Sequence, residues 1–464
     1  MVQFIDLPLE LLPAILVYLP KPHHLASTSL VNKTFYAFST PLLYSRASIY
    51  AWHKESKYKV IRLFDTLSRC AHLAKHLRRL EVRDFPKALS FPDIDIFDIV
   101  VMGLRNCTAL RSCTWTRDGS LSSDILDALK ASEELQELEI NGHSDGNYDP
   151  KLLLQFNHLT KISIIMPSVP VIGALEGWLT QTGKTLRSLT LVCKSSPIVT
   201  DDVLRSLAYH LPNLDHIHLT GCPKVTHQGV SAVLDSNITG IESLGLEGVS
   251  ARFDMAAFAE NCTTKQMLRR LRSITLTVQQ QLLMKDWMAN VLNLLSSAPL
   301  EVFHVYSTGA FFESPVTDDF WSKLINIHGP RLTRFSVHRM LISLQAISDI
   351  CEKCTSLEQL FIVVEPGSLN NLAACLSSAK RLQTVHINYP LEASTDTLPI
   401  LFPSDVLAIV RQCSSTVTQF GCNAKVWQVG RSVTVNNDGS MASHPQLYPY
   451  ESLDIPEQFL VVRT

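Results

Sequence analysis

LDHIHLTGCPKVTHQGVSAVL (residues 214–234) contains two different periods within twenty-one residues. In LDHIHL the apolar residues Leu214, Ile217 and Leu219 follow an apolar-x-x-apolar-x-apolar spacing, and the last two share one face of a strand. In HQGVSAVL the residues Val230, Val233 and Leu234 instead fall three and four apart, which is helical spacing. Gly221 and Pro223 punctuate the change. A strand–helix unit of this size cannot bury its own apolar side, so it requires copies on either side.

The copies are present. The six-residue pattern returns as LRRLEV at 77, LRSCTW at 110, LQELEI at 135, LTKISI at 159 and LRSLTL at 186. It continues as IESLGL at 241, LRSITL at 271, LEVFHV at 300, LTRFSV at 332, LEQLFI at 357 and LQTVHI at 382, with a degenerate VTQFGC at 417. The steps are mostly between 24 and 33 residues, and helical patterns such as DDVLRSLAYHL and WMANVLNLLSSA lie between the strands. Stacked copies share one core, so the fold class is α/β: a curved solenoid with parallel strands on the concave face and helices on the convex face. Longer inserts, SARFDMAAFAENCTTKQ and STGAFFESPVTDDFWSK, interrupt the period between 248 and 330. The region resembles the leucine-rich repeats found behind F-boxes. Residues 214–234 resemble the cysteine-containing variant of that repeat in Cys222, Thr226 and Gly229, with His227 where Asp is usual; Thr200 and Asp201 keep the pattern one unit earlier.

Ahead of the repeats stands FIDLPLELLPAILVYLPKPHHLASTSLVNKTFYAFSTPLLYSRASIY (4–50). Asp6 and Pro8 open a helix, along which Leu11, Leu12, Ile15, Leu16 and Leu19 recur at three- and four-residue steps. Pro13 inside it predicts a kink. Pro20 and Pro22 end it, a second helix runs from His23 to Leu30, and a third from an Asn32 cap to Ser39, closed by Pro41. So small a unit with so many apolar side chains predicts a partner. The stretch resembles an F-box in Leu7, Pro8, Glu10, Leu11, Ile15, Leu16, Leu19, Pro20, Leu25, Ser29, Leu30, Val31, Phe35, Tyr36, Pro41, Leu42, Leu43 and Tyr44. That resemblance implies a substrate-recognition subunit of a Skp–cullin–F-box ubiquitin ligase. Leu7, Pro8, Leu11, Ile15, Leu16, Leu19, Leu30 and Val31 would bind a Skp-type adaptor and, through it, the cullin scaffold. A scaffold protein that binds the adaptor without directing ubiquitination is the alternative, and an enzyme hidden in the inserts is a further one.

The expected organisation is an F-box at 1–50, a helical connector at 51–76, the solenoid at 77–425 and a hairpin or tail cap at 426–464. In the cap VWQVG and SVTV read as two short strands and NNDG as a turn. Of the 464 residues, 46% are hydrophobic and 18% charged, and the net charge is −2. That balance offers no bulk attraction to nucleic acid or anionic membrane, and no apolar run reaches the length of a membrane span. MVQFIDLP lacks a basic n-region, so no signal peptide is expected. Eleven scattered cysteines fit reduced thiols in the cytoplasm, the nucleus or both. The sequons at Asn32, Asn106, Asn237 and Asn261 are then chance matches.

Residues that carry chemistry are scarce. Cys351 and Cys354 form one CxxC with no second pair at zinc-site spacing, and no Gly-rich phosphate loop or nucleophile motif occurs. No metal, no cofactor and no catalysis are expected. What the repeats offer is their outward strand positions. The later ones gather histidines with two aromatics, and Tyr306, His338, Phe361 and His386 are the expected contacts to a protein substrate.

Overall fold

The structure is a computed structural model; it describes residues 8–19, 21–86, 96–279, 283–311, 315–390, 401–435 and 440–450. The chain divides into two compact units. One runs to Ile198 and takes in Tyr209–Asn213; the other holds Val199–Ala208 and Leu214–Glu451.

In the first unit the strands are β1 (Arg46–Ile49), β2 (Arg79–Val82), β3 (Ser112–Trp115), β4 (Glu137–Asn141), β5 (Lys161–Ile165) and β6 (Ser188–Val192). Each pairs with the next, all in parallel. The second unit holds β7 (His216–Thr220), β8 (Ser243–Glu247), β9 (Ser273–Val278), β10 (Val302–Phe311), β11 (Arg334–Leu341), β12 (Gln359–Val363), β13 (Thr384–Asn388) and β14 (Gln419–Cys422), again parallel in sequence order. A helix follows most strands, so both units are leucine-rich-repeat solenoids.

The reason lies in the hexad. Every strand from β2 to β14 begins at the third residue of its copy. The first, fourth and sixth residues go inward: Leu214, Ile217 and Leu219 are fully buried, as are Leu332, Phe335 and Val337. Register therefore places like on like, with Ile217 beside Leu244 and Leu219 beside Leu246. Each such side chain contributes roughly 1.5–3 kcal/mol by leaving water. Between 248 and 330 the register holds from β9 to β10 and from Val302 to Tyr306 against β11, and it shifts beyond Tyr306, where the second insert begins. The inserts form the helices Met255–Lys265 and Pro315–His328 and the long end of β10.

The polar part of the repeat has an equally local cause. The Asp201 carboxylate accepts from the Thr226 N–H at 2.7 Å, the Thr226 hydroxyl at 2.6 Å and the Gly229 N–H at 3.1 Å. One repeat thus caps the exposed amides at the start of the next repeat's helix. A Cβ on Gly229 would lie 2.5 Å from that carboxylate, which explains the glycine. His227 replaces the aspartate one unit later and does the same work, its Nδ1 accepting from the Asp254 N–H at 3.3 Å.

Sheet pairing begins earlier than the hexads indicate. β1 lies in the segment read as the end of the F-box, beyond its last expected helix, and the helix α4 (Ser56–Arg69, numbered after three N-terminal helices given below) buries Val60, Phe64 and Leu67. Gly103 on the helix Ile96–Arg105 admits it, since a Cβ there would lie 3.1 Å from the Phe64 ring. The segment read as a connector is therefore the helix of a first repeat. At the other end the two short strands expected in VWQVG and SVTV are one strand, β15 (Lys425–Val435), antiparallel to β14 and to β16 (Met441–Pro449). The NNDG turn and residues 451–464 lie outside the described residues.

Three short helices precede β1: α1 (Leu12–Leu16), α2 (Pro22–Ser29) and α3 (Lys33–Tyr44). Asn32 caps α3, its side chain accepting from the Phe35 N–H at 2.9 Å. Two proline readings are corrected here. Pro13 does not kink a long helix: a 3₁₀ turn at Leu9–Leu11 precedes α1, which places Pro13 in its first turn, where no N–H is needed. Pro41 does not end α3, which runs three residues further and gives up one hydrogen bond.

Candidate binding surfaces

The N-terminal helices face two ways. Leu12 and Leu16, four apart, point inward; Leu11, Ile15 and Tyr18, at steps of four and three, point outward. The expected adaptor contacts consequently separate. Leu11, Ile15, Leu30 and Val31 are exposed, Leu30 to 86%, and Pro8 is exposed beside them. Leu19 is half-buried. Leu16 is a correction: at 3% exposure it belongs to the small core and offers no surface. Leu7 lies outside the described residues. Leu9, Val17, Tyr18 and Tyr36 join the exposed set, Tyr18 at 85%. The three- and four-residue spacing from Leu11 to Tyr18 was the signal for it.

The second surface is the open sheet face, and its character differs between the units. In the first it is ionic. The Glu81 carboxylate is buried, yet it accepts from Arg79 Nε at 2.8 Å, Arg46 Nη2 at 3.0 Å and the Tyr50 hydroxyl at 2.9 Å. Burial alone would raise its pKa; Arg79, Tyr50, Arg46 and Arg83 outweigh burial and hold it below the ordinary carboxylate value. Arg83 goes on to pair with Glu139 at 3.0 Å. On this face Arg46, Arg79 and Arg83 are matched by carboxylates.

In the second unit the face is a row of rings. His304 lies 4.8 Å from His338, His338 lies 6.4 Å from Phe361, and Phe361 stacks on His386 at 6.2 Å. The Arg334 guanidinium covers Phe361 at 4.7 Å, and Arg339 covers Tyr306 at the same distance. Glycine makes room for the imidazoles: a Cβ on Gly421 would fall 1.9 Å from His386 Nδ1, and one on Gly245 would fall 2.6 Å from His218 Nδ1. His386 Nε2–H donates to the Asn423 carbonyl at 3.0 Å. Burial pushes His386 and His338 down to about 4 and His304 well below its ordinary value, so all three rings are neutral near pH 7.

The structure therefore brings Tyr306, His338, Phe361 and His386 onto one face but does not expose them equally. The expectation of exposed anchors is corrected for Phe361 and His386, which are 3% and 1% exposed. Parallel register sets them side by side, and each ring covers the next. Tyr306 and His338 are half-buried. Arg334, Arg339 and His304 complete the surface.

Among the described residues no three His, Cys, Asp or Glu side chains gather as a metal site. Cys351 and Cys354 are buried thiols; burial raises both, Cys354 to about 12. Among the described residues no helix is long and apolar enough to cross a membrane.

No protein-family model and no curated protein matches the sequence. Solved structures with a similar course include one described as the Rad7 and Elc1 complex in yeast, 14% identical with a TM-score of 0.42, over 78% of this chain and 92% of that one. Another is the leucine-rich repeat-containing protein LegL7 from Legionella pneumophila, 11% identical with a TM-score of 0.38, over 68% of this chain and 95% of that one.

Proposed function

We propose that the chain is a substrate-recognition subunit of a Skp–cullin–F-box ubiquitin ligase, working in the cytoplasm, the nucleus or both. In this reading the N-terminal helices bind a Skp-type adaptor, which joins them to the cullin. The repeats hold a protein client so that a ubiquitin-charged enzyme elsewhere in the complex meets its lysines, which is catalysis by proximity without chemistry of the chain's own.

The observation that carries the reading is the outward apolar set on α1–α3. Leu11, Ile15, Leu30 and Val31 stand exposed at the F-box positions, in a unit that buries Leu12 and Leu16 for its own stability. Such a cluster is costly in water and becomes favourable under a partner. Affinity purification of the intact chain beside a Leu30→Lys, Val31→Lys variant tests it. The reading expects adaptor and cullin to be lost together while other bound proteins remain. Retention of the adaptor by the variant refutes the docking surface; an adaptor-bound complex without cullin refutes the ligase role and leaves a scaffold.

A further inference from the structure

The open face of the second unit has a side-chain pattern that the first lacks. At the outward positions of β7–β14 stand Arg334 and five histidines (His216, His218, His304, His338 and His386), with Glu247 as the single carboxylate. Burial raises the Glu247 carboxyl, with the Thr220 hydroxyl opposing, so even that charge is disfavoured.

Arg339 sharpens the pattern. Its φ is +60°, in the left-handed region that a residue with a Cβ avoids. The pairing of β11 slips on both sides at this point, between Tyr306 and Phe311 toward β10 and between Ser336 and Leu341 toward β12. Such a bulge re-aims a side chain, and here it lays the guanidinium across Tyr306. Arg339 is exposed and has no ion pair among the described residues. Arg270 and Arg272 of the same unit are paired with Glu242 and Glu301. Beside it, His304 is only 8% exposed, and its Nε2 has no hydrogen-bond partner among the described residues. An exposed, oriented guanidinium on an open surface suits a carboxylate, whereas the His304 Nε2 is buried beneath that surface.

We propose that this face takes an extended acidic peptide segment of the client, with a client carboxylate on Arg339. The proposal rests on the reading that the repeats hold the client, and it names the chemistry of that client.

The test uses the purified full chain and fluorescence anisotropy with a labelled Glu/Asp-rich peptide, its Gln/Asn-rich counterpart and a single-stranded oligothymidylate. Adaptor binding is measured in parallel, and thermal melting checks that variants remain folded. Salt-sensitive binding of the acidic peptide is expected, with the amide counterpart weaker by roughly tenfold or more and Arg339→Glu weakening the acidic peptide by a similar factor. Three results overturn the proposal: no preference for acid over amide, acidic-peptide binding indifferent to a folded Arg339→Glu variant, or preference for the oligothymidylate. Loss of adaptor binding with peptide binding intact counts instead against the ligase role, and the acidic-peptide surface stands.

Discussion

Leu30 and Leu219 are the same residue in opposite situations. Leu219 lies in a strand whose neighbours repeat its pattern, so Leu246 of the next strand sits beside it and water never reaches it. Leu30 closes a short helix in a unit with no such neighbour and stays exposed. Apolar sequence thus has two meanings in this chain, internal cohesion in the repeats and an unfilled contact in the helices. The contrast teaches that repetition is what makes the repeats self-sufficient.

The largest way to break the contrast is to cut into the repeats. Leu219→Ala should cost about 2–5 kcal/mol, read as a lower denaturant midpoint in chemical unfolding; a loss no greater than that of a surface change would mean the stacked core is not what holds the unit. Acid should act in the same region. His328 and His386, fully buried, have folded values of about 4 against an ordinary 6.5, so the unfolded chain binds protons that the folded chain refuses. Their contribution is complete above pH 6.5 and falls as pH drops toward 4, by on the order of a few kcal/mol. Melting temperatures from pH 7.5 to 4.5 should decline through that window, and a flat profile would contradict the burial of neutral rings. Gly229→Ala, which drives a methyl against Asp201, should cost about 1–3 kcal/mol. The smallest effect belongs to the helices. Leu30→Lys should leave stability within about 0.5 kcal/mol, and a core-sized loss there would erase the distinction.

Most of the repeats can be read from the chain because one physical rule, a strand starting at the third residue of each hexad, recurs from residue 77 to residue 422. β1 escapes that reading because Tyr44 stands where most other copies carry leucine and Ala47 where they carry a larger apolar residue. Pro13 and Pro41 mislead because proline's effect depends on where a helix starts, a matter of one turn. The open faces are the least legible. That Arg79 and Glu81 point outward follows from alternation, but that three arginines bury Glu81 depends on pairing with β1. That Phe361 and His386 cover each other depends on register between strands 25 residues apart in sequence. Arg339 is invisible without its backbone angle.

The central claim is that the exposed apolar set on α1–α3 is a docking surface rather than a packing remnant. The most direct measurement is calorimetric titration of a purified Skp-type adaptor into the full chain and into a folded Leu30→Lys, Val31→Lys variant. The account predicts tight binding to the intact chain and a loss of roughly a hundredfold or more in the variant, the magnitude expected when anchors at the centre of an interface are removed. Equal affinity for both, or no binding to the intact chain, would contradict it.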